Sequence, residues 1–126
     1  MLLTLRAEGK TFAGTWENSG GAALAGESSR QAIARELREE TGIQAEPEEF
    51  TYLRTDRDQS CFYDHYCLKR PMSQPVTLQP GETDGAQWVP LARVHEMIRR
   101  GTICQIIARQ FLQLEPELKK RQTAQE

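Results

Sequence analysis

The chain reads as one α/β domain, and three observations carry that reading. Its 126 residues give room for a single hydrophobic core. Short apolar runs bounded by turn formers alternate with stretches of helical periodicity. One helical stretch, Ser29–Thr41, carries its own start and stop signals. Ser28 and Gln31 stand at capping-box spacing, and Gly42 suits the left-handed turn after the last helical residue.

The elements follow in order. Leu2–Arg6 reads as a strand and residues 10–15 as a loop. Trp16 and Glu17 lead into a glycine-containing segment, in which residues 22–24 suggest a short strand. The helix over Ser29–Thr41 is filled with Ala, Ile, Leu, Glu and Arg, and its Ile33 and Leu37 fall on one face toward the core. Residues 51–55 and 61–69 read as strands joined through the polar stretch 56–60, a hairpin. Residues 71–80 form a loop with a brief strand expected at 76–78, and residues 86–89 form another short strand. A helix is predicted over 91–100, ended by Gly101, and a second over 103–114, stopped near Pro116. The polar tail from about residue 117 is expected to fray.

Composition narrows the function classes. A net charge of −2 leaves no basic footprint for a nucleic-acid polymer. No apolar run approaches the ~20 residues of a membrane span, and charge begins at Arg6, before any signal-peptide core. The three cysteines, Cys61, Cys67 and Cys104, are odd in number and lack metal-knuckle spacing. Reduced thiols in a cytoplasmic protein are the simplest account.

The chemistry is concentrated between Gly21 and Ile43. Gly21 is followed after five residues by Glu27, then after seven by Arg35-Glu36-Leu37, Glu39-Glu40 and Gly42-Ile43. On the predicted helix, Glu36 lies three residues from Glu39 and four from Glu40, spacings that make side chains neighbours with Cβ atoms roughly 5–6 Å apart. Like charges so placed repel, and a helix built only for structure avoids the cost by alternating signs. Clustered carboxylates suit a hard divalent cation, since Mg²⁺ takes oxygen ligands and shares them with substrate phosphates.

This run, G-x5-E-x7-R-E-U-x-E-E-x-G-U with U aliphatic, resembles the Nudix box. That box is the signature of hydrolases that cleave diphosphates of nucleotides and related compounds. The resemblance implies an α/β/α sandwich with a mixed sheet, and a loop–helix–loop whose glutamates hold Mg²⁺ or Mn²⁺ against a diphosphate. Carried over, Glu36, Glu39 and Glu40 are the metal-binding set, joined by a carbonyl of Gly20 or Gly21, while Arg35 and Glu27 brace the loop or the carboxylates. Beyond the box, residues 78–82 followed by Gln87-Trp88-Val89 are similar to a family loop that carries an acidic residue. This marks Glu82 as an extra ligand or as the base that activates water, a role for which Glu39 also stands. Arg6 and Trp16 are the candidate substrate contacts, with Lys10 and Arg54 as further phosphate candidates. Tyr63, His65 and Tyr66 alternate between the faces of one predicted strand, and whichever face lines the cleft can stack a base.

Two departures qualify the resemblance. Ser19 stands where the family usually has proline, and residues 16–21 are similar to a subset related to isopentenyl-diphosphate isomerases. Those enzymes need a cysteine where this chain has Gly20 and Gly21, which argues against isomerisation. Family members also carry a strand and a turn ahead of the segment equivalent to Leu2–Leu5, where this sequence begins. The sheet edge so exposed leads to the expectation of a homodimer. The expected activity is metal-dependent hydrolysis of a diphosphate bond in a nucleoside diphosphate derivative or related small molecule. The alternative is a binding or regulatory domain of the same fold, weak or silent in catalysis.

Overall fold

The structure is a computed structural model and describes residues 1–123. Among the described residues the strands are β1 (Leu2–Arg6), β2 (Trp16–Glu17), β3 (Thr51–Arg57), β4 (Phe62–Cys67) and β5 (Thr83–Trp88). The helices are α1 (Ser29–Thr41), α2 (Leu91–Arg99) and α3 (Gln105–Thr123), with a 3-10 turn at Pro47–Glu49. The last three residues of the predicted polar tail lie outside the described residues.

The strands form two sheets, β2-β1-β5 and the hairpin β3-β4, and every laddered pair is antiparallel. A parallel bridge joins Trp16 to Ile103 outside the ladders. Alternation along β1 explains the layering. Leu3 is fully buried in one core cluster with Val94, Met97, Ile103 and Phe111 from the α2 and α3 side. Its neighbour Leu2 packs on the opposite cluster of Leu37, Ile43 and Phe50, on the α1 side. Val89 and Trp88 divide between the two clusters in the same way. The result is the expected sandwich, with α1 on one face and α2 and α3 on the other.

α1 begins and ends where its caps dictate. Ser28 accepts from the Gln31 amide at 3.1 Å, and the Gln31 side chain accepts from the Ser28 amide at 2.9 Å. At the other end Gly42 adopts φ 74° and donates to the Arg38 carbonyl at 2.8 Å. Ile33 and Leu37 reach the core as the spacing requires.

Three elements differ from expectation. Residues 22–24 form no strand, because the loop's polar groups are taken by side chains: the Leu24 amide donates to Glu27 at 2.9 Å and Arg35 donates to the Ala22 carbonyl at 3.1 Å. Residues 76–78 are also irregular, held by a Thr77 amide bond to the Thr41 carbonyl at 2.7 Å and by Val76 on the core. α3 does not stop at Pro116 but runs through it to Thr123. Packing outweighs the local preference there: Leu118 lies on the core, Glu115 contacts His95, and Lys69 donates to the Arg121 carbonyl.

Candidate active site

The candidate site is built on the face of α1 that the preceding loop covers. Arg35 anchors that loop with a forked guanidinium. Its Nε and Nη2 donate to the two oxygens of Glu27 at 2.8 and 3.0 Å, and its Nη1 donates to Glu36 at 2.9 Å and Glu39 at 3.2 Å. The bonds from Arg35, and then from the Leu24 amide, hold the Glu27 carboxyl below its usual range. The bracing pair expected from the sequence is therefore present as a contact.

Gly21 lies against Glu36 so closely that a Cβ there would stand 2.4 Å from the Glu36 carboxyl carbon. Glu40 is partly buried, and its Oε2 is enclosed with no hydrogen-bond partner. Burial above all raises its carboxyl to about 8, with the charges of Glu36 and Glu17 adding to the rise and a Ser19 hydrogen bond opposing it. A buried, unpartnered carboxylate oxygen beside other carboxylates is costly unless a cation or proton meets it. Oxygen donors of this kind fit Mg²⁺ or Mn²⁺. Among the described residues, no group of three His, Cys, Asp or Glu side chains converges as a ready-made metal cage. Glu36 and Glu39 instead face the Arg35 guanidinium.

A cavity of about 980 Å³ opens over this face. Glu36, Glu39 and Glu40 line one part of it, together with Gly20 and Gly21. Arg6, Lys10, Glu17 and Glu82 line another. The wall is completed by residues 61–66 of the hairpin and by Ile107, Gln110 and Leu114 of α3. Both cations already have acidic partners. Arg6 Nη1 donates to both Glu17 oxygens at 3.0 Å and its Nε to the Thr11 carbonyl at 2.6 Å, while Lys10 pairs with Glu82.

The cavity thus gathers Glu36, Glu39, Glu40, Glu82 and Arg6 from distant parts of the sequence. Trp16 stands apart: it packs beside the Leu3 cluster, its ring edge near Gly85, and is not part of the cavity wall. Arg54 is also outside the wall and pairs with Asp56. Sequence reasoning passed over Glu17, Gln110 and Asp64. Asp64 accepts from Thr55 at 2.7 Å, and bonds from Thr55 and then Ser29 hold its carboxyl low. Glu17 reaches the site because β2 pairs with β1 at Thr4, and a two-residue strand leaves no periodic signal.

A sandwich whose box helix lines a cleft with its glutamates is the form expected of a Nudix-type domain. Residues 1–106 match the NUDIX domain family, and the chain belongs to that family. No match is found among curated proteins. Among solved structures, the chain is similar to a MutT of the Aliivibrio salmonicida and Vibrio cholerae pair, at 30% identity and TM-score 0.61, covering 76% of this chain and 72% of that one. The NUDIX domain of Shewanella oneidensis NrtR, complexed with ADP ribose, aligns at 24% identity and TM-score 0.68 over 93% of this chain and 76% of its own. A MutT/nudix family protein from Enterococcus faecalis aligns at 24% identity and TM-score 0.60 over 69% of this chain, which spans only 35% of that protein.

Proposed function

We propose that this chain is a divalent-cation-dependent hydrolase of a diphosphate bond in a nucleoside diphosphate derivative or related small molecule, acting in the cytoplasm. One observation supports this above the others. Glu40, whose Oε2 is enclosed and unpartnered, lines the same cavity as Glu36 and Glu39, with the cations Arg6 and Lys10 in its wall. Membership of the family and the ADP ribose held by the NrtR domain fit a small nucleotide-like substrate.

In this reading Glu36, Glu39 and Glu40 hold Mg²⁺ or Mn²⁺. A divalent cation held there would supply Lewis-acid charge and a more acidic water. The remaining chemistry belongs to the chain. Arg6 and Lys10 exchange their carboxylate partners for phosphate oxygens, and the exchange frees Glu82 from Lys10. Glu82 or Glu39 then takes the proton from the attacking water. Arg35 and Glu27 keep Glu36 oriented, the kind of support whose loss weakens a metal site about 10–100-fold.

A second reading, a domain that binds without hydrolysing, draws on the Arg35 guanidinium that already occupies Glu36 and Glu39. Phosphate or pyrophosphate release from a panel of nucleoside diphosphate derivatives, with Mg²⁺ or Mn²⁺, separates the two. Turnover that needs the cation and is lost in Glu40→Gln is the expected result. Metal binding without turnover on any compound favours the binding domain, and full activity in Glu40→Gln removes Glu40 from the ligand set.

A further inference from the structure

A cavity of about 980 Å³ has room for more than a diphosphate. Ser29, Ile33, Glu36 and Glu40 line it from one face of α1, so it runs along that helix. From Ser29 to Glu36 is two turns, about 10 Å of helix. A substrate with its phosphates at the glutamates has the start of α1 within the length of a nucleoside.

There the hairpin supplies the wall. Phe62, Asp64 and Tyr66 alternate onto one face of β4, and all three line the cavity. Asp64 collects two chains of hydroxyls. Thr55, its register partner, donates to Oδ1 at 2.7 Å, and the Tyr52 hydroxyl lies 2.6 Å from that of Thr55. Ser29 bonds the same carboxylate, and the Tyr66 hydroxyl lies 2.7 Å from that of Ser29. Each hydroxyl has one proton to give, so both chains run from tyrosine to carboxylate. Asp64 ends both as an acceptor, and the bonds from Thr55 and then Ser29 hold its carboxyl below the usual range.

These bonds leave the carboxylate unfilled. They take two of its roughly four lone-pair sites, and the residue is exposed. The cations of the opposite strand are turned elsewhere: Arg54 pairs with Asp56, and Arg57 lies 5.6 Å from the centroid of the Phe62 ring. Phe62 itself remains 70% exposed, a large apolar ring in the cavity wall with no core to cover it.

We propose that Asp64 is a specificity-determining residue for a guanine-type base, accepting from the ring N–H and the amino group on one edge, with Phe62 as the stacking face. Two adjacent N–H donors match the two oxygens of a carboxylate, the paired geometry that makes such contacts strong. Phe62 and Asp64 stand roughly 7 Å apart along the strand. A ring resting on the first can bring its edge to the second. An ionised carboxylate has no proton to offer, so a base presenting a carbonyl there is turned away. The inference rests on the hydrolase reading for placing the phosphates at Glu36 and Glu40, while the base contact can be measured without turnover.

The test compares guanosine with inosine, which lacks the amino group, as monophosphates for calorimetric binding and as diphosphate derivatives for turnover. Wild type is expected to favour guanosine about tenfold, the scale of one hydrogen bond to a charged group. Asp64→Asn keeps the shape but replaces one acceptor with a donor, and the ratio should fall to near one. Phe62→Leu should weaken both nucleotides alike, about tenfold, and leave the ratio in place. A structural role for Asp64 would lower both nucleotides together in Asp64→Asn and keep the ratio. That result, or a wild type blind to the amino group, overturns the proposal. Guanosine preference lost in Asp64→Asn, in a protein without turnover, would uphold the base contact while refuting the hydrolase. Turnover with the same ratio in wild type and Asp64→Asn would do the reverse.

Discussion

At Gly21 the missing side chain is a contact requirement, because the Glu36 carboxyl fills the space where a Cβ would be. The backbone there is not left-handed, so alanine is tolerated by the chain itself. The strain falls on the flexible end of Glu36, which must swing away. Gly21→Ala is therefore expected to melt close to wild type but to lose turnover on the order of 10²-fold, the scale of a misplacement of about 1 Å at a reacting centre. Kinetics beside a thermal melt check this, and unchanged turnover would show that Glu36 does not act from its present position. The residues of this contact were legible because the box fixes their spacing. Glu17 was not, since strand pairing alone brings it to its place and no motif marks it.

At the scale of elements, local signals sufficed where they agreed with packing. The capped helix α1 and the β3-β4 hairpin appeared within a few residues of their predicted bounds. They failed where tertiary contacts overrode them, and α3 is the clearest case. Pro116 removes one helical donor and crowds the preceding turn, reason enough to predict a stop. Yet the turns beyond it bring Leu118 to the core and Arg121 to Lys69, contacts invisible in the sequence. α3 is thus held against a local penalty, and relieving the penalty should stabilise the protein. Pro116→Ala, at an exposed position, is expected to raise unfolding free energy by about 1–3 kcal/mol in urea titration. An unchanged midpoint would mean that the helix passes the proline without cost.

At the scale of the whole molecule, the cleft carries a cost to the fold that the proposed cation would offset. Folding brings Glu17, Glu36 and Glu40 together and encloses an oxygen of Glu40 without a partner. The unfolded chain carries no such cost, since its carboxylates are hydrated and apart. A cation that binds only the folded cluster must then stabilise the protein by mass action, about 2.7 kcal/mol at a hundredfold excess over Kd. For a domain of 126 residues this corresponds to a Tm rise of ~10 °C. Glu40→Gln should show the opposite balance. Without metal it is expected to melt no lower than wild type, because folding no longer has to bury a carboxyl that must take up a proton or stay charged; with Mg²⁺ it should gain little. Thermal melts of both proteins with Mg²⁺ and with a chelator give all four values. A wild type indifferent to Mg²⁺ would leave the enclosed carboxylate without its proposed counter-charge, and a Glu40→Gln variant that gains as much as wild type would place the cation elsewhere. Crossing of the two proteins between the metal-free and metal-bound states is the signature expected of a cluster kept for binding at the expense of the fold.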